Sequence, residues 1–510
     1  MMRLARGLAA LALVVGVVVA CGGSTSKGDG TLTFAAALAA ATMDPDRLSV
    51  QQMAVYTAPV YDSLTALGAD ETVAPRLAES WRFGTDQAGP YLDLVLRPGL
   101  RFPDATPLTA HTVSVNIHRS QTMDGSTNRA SLAGVQVDEI DTRQVRLRSP
   151  RGVGALPRIL AGPAGMMISD KAIADDTDLS RKAVGIGPYT LESVAPNRVR
   201  YTRTPGYWDH VATADVLEIV YLSDDAKLNA VRSDSVDVTV LPHDMVTAAE
   251  KAGYRTERSL GAENYVFSMN TAIEPFSDPR AREAVNMSLD RVSICAGLLK
   301  GECEPTGQIM GAGTAAYDHQ IGLTRFPYDM DRAKELIAQA GARGAAVDIV
   351  TVAGNKIFEQ LATVLQQQLD LIGLRARVVP VAPPQVVSRF AVEKSAAIAF
   401  GATGNFFDPS ESIDRYVLPT GLYNPGHADL DGVAALAADA TAATGADTRT
   451  ALYRKISGSV DPASFLVPVL SPKTAYVIAP RVTGWTTPWA PAFPSFRGVT
   501  DGLTTSEKGN

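Results

Sequence analysis

VDIVTVAGNKIFEQLATVLQQQLDLIGLRARVVPV, residues 347–381, decides the fold of this chain. Val347 to Val352 is a short, β-branched run. After it, Phe358, Leu361, Ala362, Leu365, Leu369 and Ile372 recur at helical spacing, and Ala376 to Val381 is a second β-rich run. Strand, helix and strand in this order predict a βαβ unit, hence a parallel strand pair with a right-handed crossover. Ala396 to Phe400 adds a further strand. On the N-terminal side, Asp329 precedes a helical pattern of Ala333, Leu336, Ile337 and Ala340 that stops at Gly341. Asp278 caps another helix with Pro279 in its first turn and Ala281, Ala284, Val285, Ser288, Leu289 and Val292 along one face. The second half of the chain is therefore α/β.

The first half follows a different pattern. Leu92, Leu94 and Leu96 alternate, and Pro98-Gly99 supplies a type II turn; Val145 and Leu147 alternate before Pro150. The region from about 65 to 184 reads as strand-rich, with a helix near Thr109 to Ser120. Across 510 residues the apolar share is 46% and the charged share 20%, enough for a sizeable core. A net charge of -7 without basic clusters argues against a nucleic-acid partner.

At the start, Arg3 and Arg6 precede an apolar run from Leu8 to Ala20, and Val18-Val19-Ala20 lead into Cys21. The run is short of the roughly 20 residues needed to span a membrane. It predicts a cleaved signal peptide over 1–20, lipidation of Cys21, and a flexible tether over 21–27. Two or more acyl chains there would hold a soluble body on the extracytoplasmic face of the cell membrane. A plain secretory signal with an incidental Cys21 is the alternative. Cys295 and Cys303, exported, form either a local disulfide or two reduced thiols; a turn at Gly301 brings them near each other.

Enzyme signals are weak. No G-x-S-x-G elbow or H-E-x-x-H occurs, and the six histidines are scattered. His111 and His118 share a helix without a third ligand nearby, so neither metal nor cofactor is expected. Asn424 and His427 read as a loop cap, or else as a ligand or chelate contact.

Further motifs carry a resemblance. Leu77-Ala78-Glu79-Ser80-Trp81, Leu96-Arg97-Pro98-Gly99-Leu100-Arg101-Phe102, Pro107-Leu108-Thr109-Ala110, Val184-Gly185-Ile186-Gly187-Pro188-Tyr189, Pro205-Gly206-Tyr207-Trp208 and Pro275-Phe276-Ser277-Asp278 fall in one order. With Tyr328-Asp329, Ile372-Gly373 and Asp408-Pro409, they resemble the peptide and nickel class of extracellular solute-binding proteins. The resemblance implies a two-lobed α/β periplasmic-binding-protein fold of type II, in the large peptide-binder class, with an extra strand-rich subdomain in the first lobe. It assigns 28–64, 185–262 and 475–505 to the first lobe, 65–184 to the extra subdomain and 263–474 to the second lobe. The implied function is the membrane-anchored, substrate-binding part of an ABC importer. Its partners would be a small-molecule or peptide-like ligand in an interlobe cleft and the permease subunits, with the chain itself monomeric. The rivals are an envelope interaction protein that has lost transport and, weakest, a lipid-anchored hydrolase.

By the same resemblance, the aspartate that pairs a peptide's amine falls at Asn405, three residues before Asp408, and the aromatic before it falls at Ala402. No Arg stands near Val352, where dipeptide binders pair the carboxylate, and Lys356 is the nearest point charge. A dry cleft leaves unpaired charges at a cost of several kcal/mol, roughly, so free dipeptides are not the expected ligand. Phe406, Phe407, Met166, Met167 and Trp485 read as polarizable cleft contacts or as core residues. Gln52, Met53 and Tyr56 line the expected first-lobe wall. Asp408 reads first as a helix cap and second as a ligand contact; Arg129 reads as a surface charge.

Overall fold

The 347–381 stretch forms strand Ala346–Val352, helix Lys356–Leu371 and strand Arg375–Val381, and the two strands pair in parallel. Asn355 starts the helix by accepting a hydrogen bond from the Phe358 amide at 3.2 Å. Leu361, Ala362, Leu365 and Leu369 form its buried face, as the 3.6-residue period requires. The structure, a computed structural model, describes residues 30–48, 53–209, 214–403, 407–462, 464–482 and 485. The expected signal, Cys21, the tether, Gln52, Asn405 and Phe406 lie outside the described residues.

One sheet of twelve strands runs through most of the molecule. Its path goes from Arg375–Val381 through Ala346–Val352, Ile398–Thr403 and Asn264–Met269 to the long strand Leu466–Ile478. It continues through Val238–Leu241, Thr31–Ala36, Val216–Tyr221 and Arg198–Arg203 to Tyr189–Ala195. A separate antiparallel sheet of four strands is built from Ala78–Asp86, Gly89–Leu96, Gln144–Arg148 and Gln136–Glu139. Thr109 caps the helix Ala110–Thr122 beside it, and Gly99 takes the positive φ of +74° that its turn needs.

Among the described residues, beside one small cluster around Ala35 and Val220, three large hydrophobic cores form. One gathers residues from Leu32 to Tyr61, Ile168 to Tyr254 and Ala475 to Trp485. A second, with Leu92, Leu94, Leu96, Val145 and Leu147, lies under the four-stranded sheet. The third spans Tyr265 to Leu470 and includes the buried face of Lys356–Leu371. The strand Leu466–Ile478 belongs to two of them, with Leu466–Leu470 in the third and Ala475–Ile478 in the first.

One helix expected from Asp278 onward is two. Pro279–Met287 ends, Asp290 starts Arg291–Leu298 by accepting from the Ser293 amide, and Val292 is 58% exposed. A second capping residue interrupts the apolar period, which turns Val292 outward. Cys295 and Cys303 are joined by a disulfide with Cα atoms 5.9 Å apart.

Candidate ligand cleft

The chain passes between the first and third cores twice, and the crossings lie side by side. Strand Arg255–Leu260 pairs antiparallel with Lys473–Ile478, and Asn264–Met269 pairs with Leu466–Leu470. Residues 261–263 and 471–472 therefore join two bodies that share no other backbone connection among the described residues. Gly311 and Gly313 let a third segment press on the first crossing. A Cβ on Gly311 would lie 2.1 Å from the Ala262 carbonyl oxygen, closer than any side chain tolerates. This is the geometry of a two-strand hinge.

Beside the hinge, the body with the four-stranded sheet touches the third-core body directly. Arg158 donates from Nε to the Phe407 carbonyl at 2.9 Å and lies 3.7 Å from the Asp408 carboxylate. Its other nitrogens hold Glu71, one to the carboxylate at 3.0 Å and one to the carbonyl. Glu71 in turn accepts from the Ala315 amide at 2.6 Å. Asp408 is fully buried and accepts from the Arg449 guanidinium and, at 2.8 Å, from the Tyr453 hydroxyl. Burial alone would raise its pKa, but Arg449 and then Arg158 outweigh burial and hold the carboxyl below the usual carboxylate range.

The same residue starts the helix Pro409–Tyr416. Asp408 accepts from the Ser410 amide at 3.0 Å, and Glu411 reaches back to the Asp408 amide at 3.3 Å, a capping box. The other oxygen of Glu411 accepts from Ser131 Oγ on the opposing body. Burial, with Asp408 and Asp414 adding to it against the Ser131 hydrogen bond, pushes the Glu411 carboxyl up to about 7. Asp414 is also raised by burial, although Arg151 reaches it across the contact at 2.5 Å. Between these pairs the backbones meet: the Ala155 amide donates to the Thr441 carbonyl at 3.1 Å. Gly154 allows this, since a Cβ there would lie 1.9 Å from the Ala443 carbonyl oxygen.

The expected site residues are distributed unevenly around this contact. Phe407 and Met166 are half-buried, and both pack on the first core; the Phe407 ring also rests on Gly162, where a Cβ would lie 2.5 Å from Cδ2. Trp485 is buried on the first core with its ring centroid 5.1 Å from that of Tyr476, and its indole N–H has no partner among the described residues. Met53 and Tyr56 are buried in the first core, where Tyr56 donates to the Leu38 carbonyl at 2.6 Å. Met167 is buried under the four-stranded sheet. Lys356 is 74% exposed and lies 4.0 Å from Asp244, a loose pair between the first-core and third-core bodies. Ala402, at the place of the expected aromatic wall, pairs with Tyr265 in the sheet.

Other sequence expectations resolve locally. Asn424 bonds the Val417, Leu418 and Ala428 carbonyls and closes its own loop, and the His427 ring lies 2.7 Å from the Pro419 carbonyl. Arg129 is exposed against the Thr122 and Met123 carbonyls, and His111 pairs with Glu139 at 3.1 Å. No cluster of three metal-ligating side chains occurs among the described residues. Among them, no helix is long and apolar enough to cross a membrane. Sequence reasoning missed Arg158, Glu71, Arg449, Glu411 and Ser131. Only Glu411 carried a signal, as the fourth residue of Asp408-Pro409-Ser410-Glu411.

Residues 72–424 match the family described as "Bacterial extracellular solute-binding proteins, family 5 Middle". Among similar sequences, the glutathione-binding protein GsiB of Salmonella typhi is 26% identical over 347 residues, covering 66% of this chain and 67% of its own. GsiB of Escherichia coli K12 is 24% identical over 381 residues, covering 73% of each. Among solved structures, AgaA of Agrobacterium tumefaciens R10 with agropinic acid superposes at a TM-score of 0.81 and 21% identity, over 94% of this chain and 99% of that one. DppA of Helicobacter pylori with the peptide STSA also reaches 0.81, at 18% identity over 94% and 98%. NikA of Brucella suis with Fe(III)-EDTA gives 0.81 at 20% identity over 93% and 100%. These neighbours share the two-lobed binding-protein fold. The chain belongs to the family 5 bacterial extracellular solute-binding proteins, non-enzymatic components that bring a solute to an ABC importer.

Proposed function

We propose that this chain is the lipid-anchored capture subunit of an ABC importer and that it takes an organic or modified-peptide solute rather than a free dipeptide. The observation that carries this reading is the state of Asp408. It is the carboxylate closest in sequence to Asn405, and it is committed to Arg449, Tyr453 and Arg158. A ligand ammonium brought to this loop meets a carboxylate already neutralised, and Asn405 offers only an amide. Lys356, exposed beside Asp244, is a weak substitute for a desolvated arginine fork. Half-buried Phe407 and Met166, with a Trp485 indole N–H that has no partner among the described residues, favour a ligand with apolar or planar parts and few formal charges.

In this reading, 28–64, 185–262 and 475–505 make the first lobe, 65–184 its subdomain and 263–474 the second lobe. A solute with higher affinity for the closed form draws the lobes together over it, and the permease docks on that form. Cys21 carries the acyl anchor, and residues 21–27 are the leash. Titration calorimetry with Ala-Ala and with glutathione tests the ligand class. Glutathione, with one ammonium and two carboxylates, is the charged control and should bind no more tightly than Ala-Ala. Sub-micromolar binding of Ala-Ala would reject the reading. The anchor is tested by Cys21→Ser, which should release the protein from the membrane fraction.

A further inference from the structure

We propose that Arg158 is a positioning residue: carried by the body with the four-stranded sheet, it latches that body onto the Phe407–Asp408 turn of the opposing body. The latch is built from two halves that are each neutral before they meet. Arg158 and Glu71 pair on one side, and Asp408, Arg449 and Tyr453 pair on the other. Bringing the halves together therefore buries no new unpaired charge, the usual reason why buried ion pairs resist forming. Beside the Ser131–Glu411 and Arg151–Asp414 pairs, the join is made by Arg158 to the Phe407 carbonyl, the Ala315 amide to Glu71, and the Ala155 amide to the Thr441 carbonyl.

The last of these satisfies a carbonyl in the final turn of the helix Val433–Ala442, where no intrahelical donor remains. Gly152, Gly154 and Gly162 are the surfaces on which the opposing Ala442, Ala443 and Phe407 rest, so this face is shaped for contact. The consequence for capture rests on the reading of the loop before Asp408 as ligand-bearing. With Phe407 and Asp408 held in place, the strand-rich body becomes a participant in closure.

Hydrogen exchange read by mass spectrometry on the full-length, ligand-free protein tests the latch. In wild type, segments 152–160 and 313–318 should be protected. Arg158→Met should speed their exchange about tenfold or more, the scale of a lost charge-assisted hydrogen bond. Segments 92–96 and 466–470, deep in separate cores, should be unchanged. Arg158→Lys, which keeps the charge without the fork, should restore part of the protection. Unprotected latch segments in wild type, unchanged exchange in Arg158→Met, or equal acceleration in the cores would each overturn the proposal. Native mass spectrometry of the wild-type protein separates the two readings: exchange data as expected with an unmodified di- or tripeptide as the bound species would leave the latch standing and remove the proposed solute class.

Discussion

Replacing Glu411 with Gln removes a single titration from the contact between the two bodies; its one carbonyl oxygen keeps the acceptor for the Asp408 amide, and its Nε2 donates to Ser131 Oγ, which turns to accept. The carboxyl moves from its ordinary 4.5 up to about 7 in the assembled structure, chiefly by burial and then by Asp408 and Asp414. The folded state therefore holds a proton that the unfolded state releases between these values. Its stabilisation is complete below pH 4.5 and is lost as pH rises through about 7. At about 1.4 kcal/mol per tenfold change in proton affinity, the upper bound is roughly 3 kcal/mol. Glu411 keeps some solvent contact, so about 1–2 kcal/mol is the expected effect. Differential scanning calorimetry of wild type and Glu411→Gln from pH 5 to 8 measures it. The two should melt together near pH 5, and the variant should melt roughly 1–2 °C higher at pH 8. A flat difference between their curves would refute the buried-carboxylate account.

Arg449→Met leaves Asp408 in a dry site with only part of its pairing, and should cost about 3–5 kcal/mol, read as a lowered melting temperature. Gly311→Ala drives a Cβ against the Ala262 carbonyl at the hinge; small-angle scattering should show a changed domain arrangement, or calorimetry a loss of stability of at least about 1–3 kcal/mol. Asn405→Asp should raise affinity for Ala-Ala about 30-fold, the equivalent of about 2 kcal/mol, as measured by calorimetry; no gain would tell against the placement of that loop. Reduction of the Cys295–Cys303 bridge, which closes a short loop, should lower stability by about 2–3 kcal/mol in thermal melts run with and without reductant.

The parallel unit at 346–381 was legible because its strands and its helix obey different periods, and each period is long enough to read. Alternation at Leu92, Leu94 and Leu96 made one strand of the four-stranded sheet legible in the same way. The strand that unites the large sheet was not legible. Leu466–Ile478 contains Pro468 and Pro472, which argue against a central strand because proline donates no ladder hydrogen bond. The sheet accommodates Pro468 at a register shift between Tyr265 and Val266, and Pro472 opposite the short strand Cys303–Pro305.

At the site, Asp408 was readable as a cap because Pro409 follows it at the first helical position. Its buried role depends on Arg158, 250 positions earlier in the numbering, and on Arg449, 41 positions later. No local pattern announces such pairs, since a lone arginine between apolar residues reads the same whether it meets water or a carboxylate. Met53 and Tyr56, read as a first-lobe wall, and Met167, read as a cleft contact or a core residue, are all buried in cores, a packing that chain position does not reveal.

Native mass spectrometry of the full-length protein purified without denaturation, followed by release of any bound molecule, tests the central claim most directly. The account predicts a one-to-one complex with an organic or modified-peptide solute that lacks the free ammonium and carboxylate ends of a simple peptide. An unmodified di- or tripeptide as the bound species would contradict it.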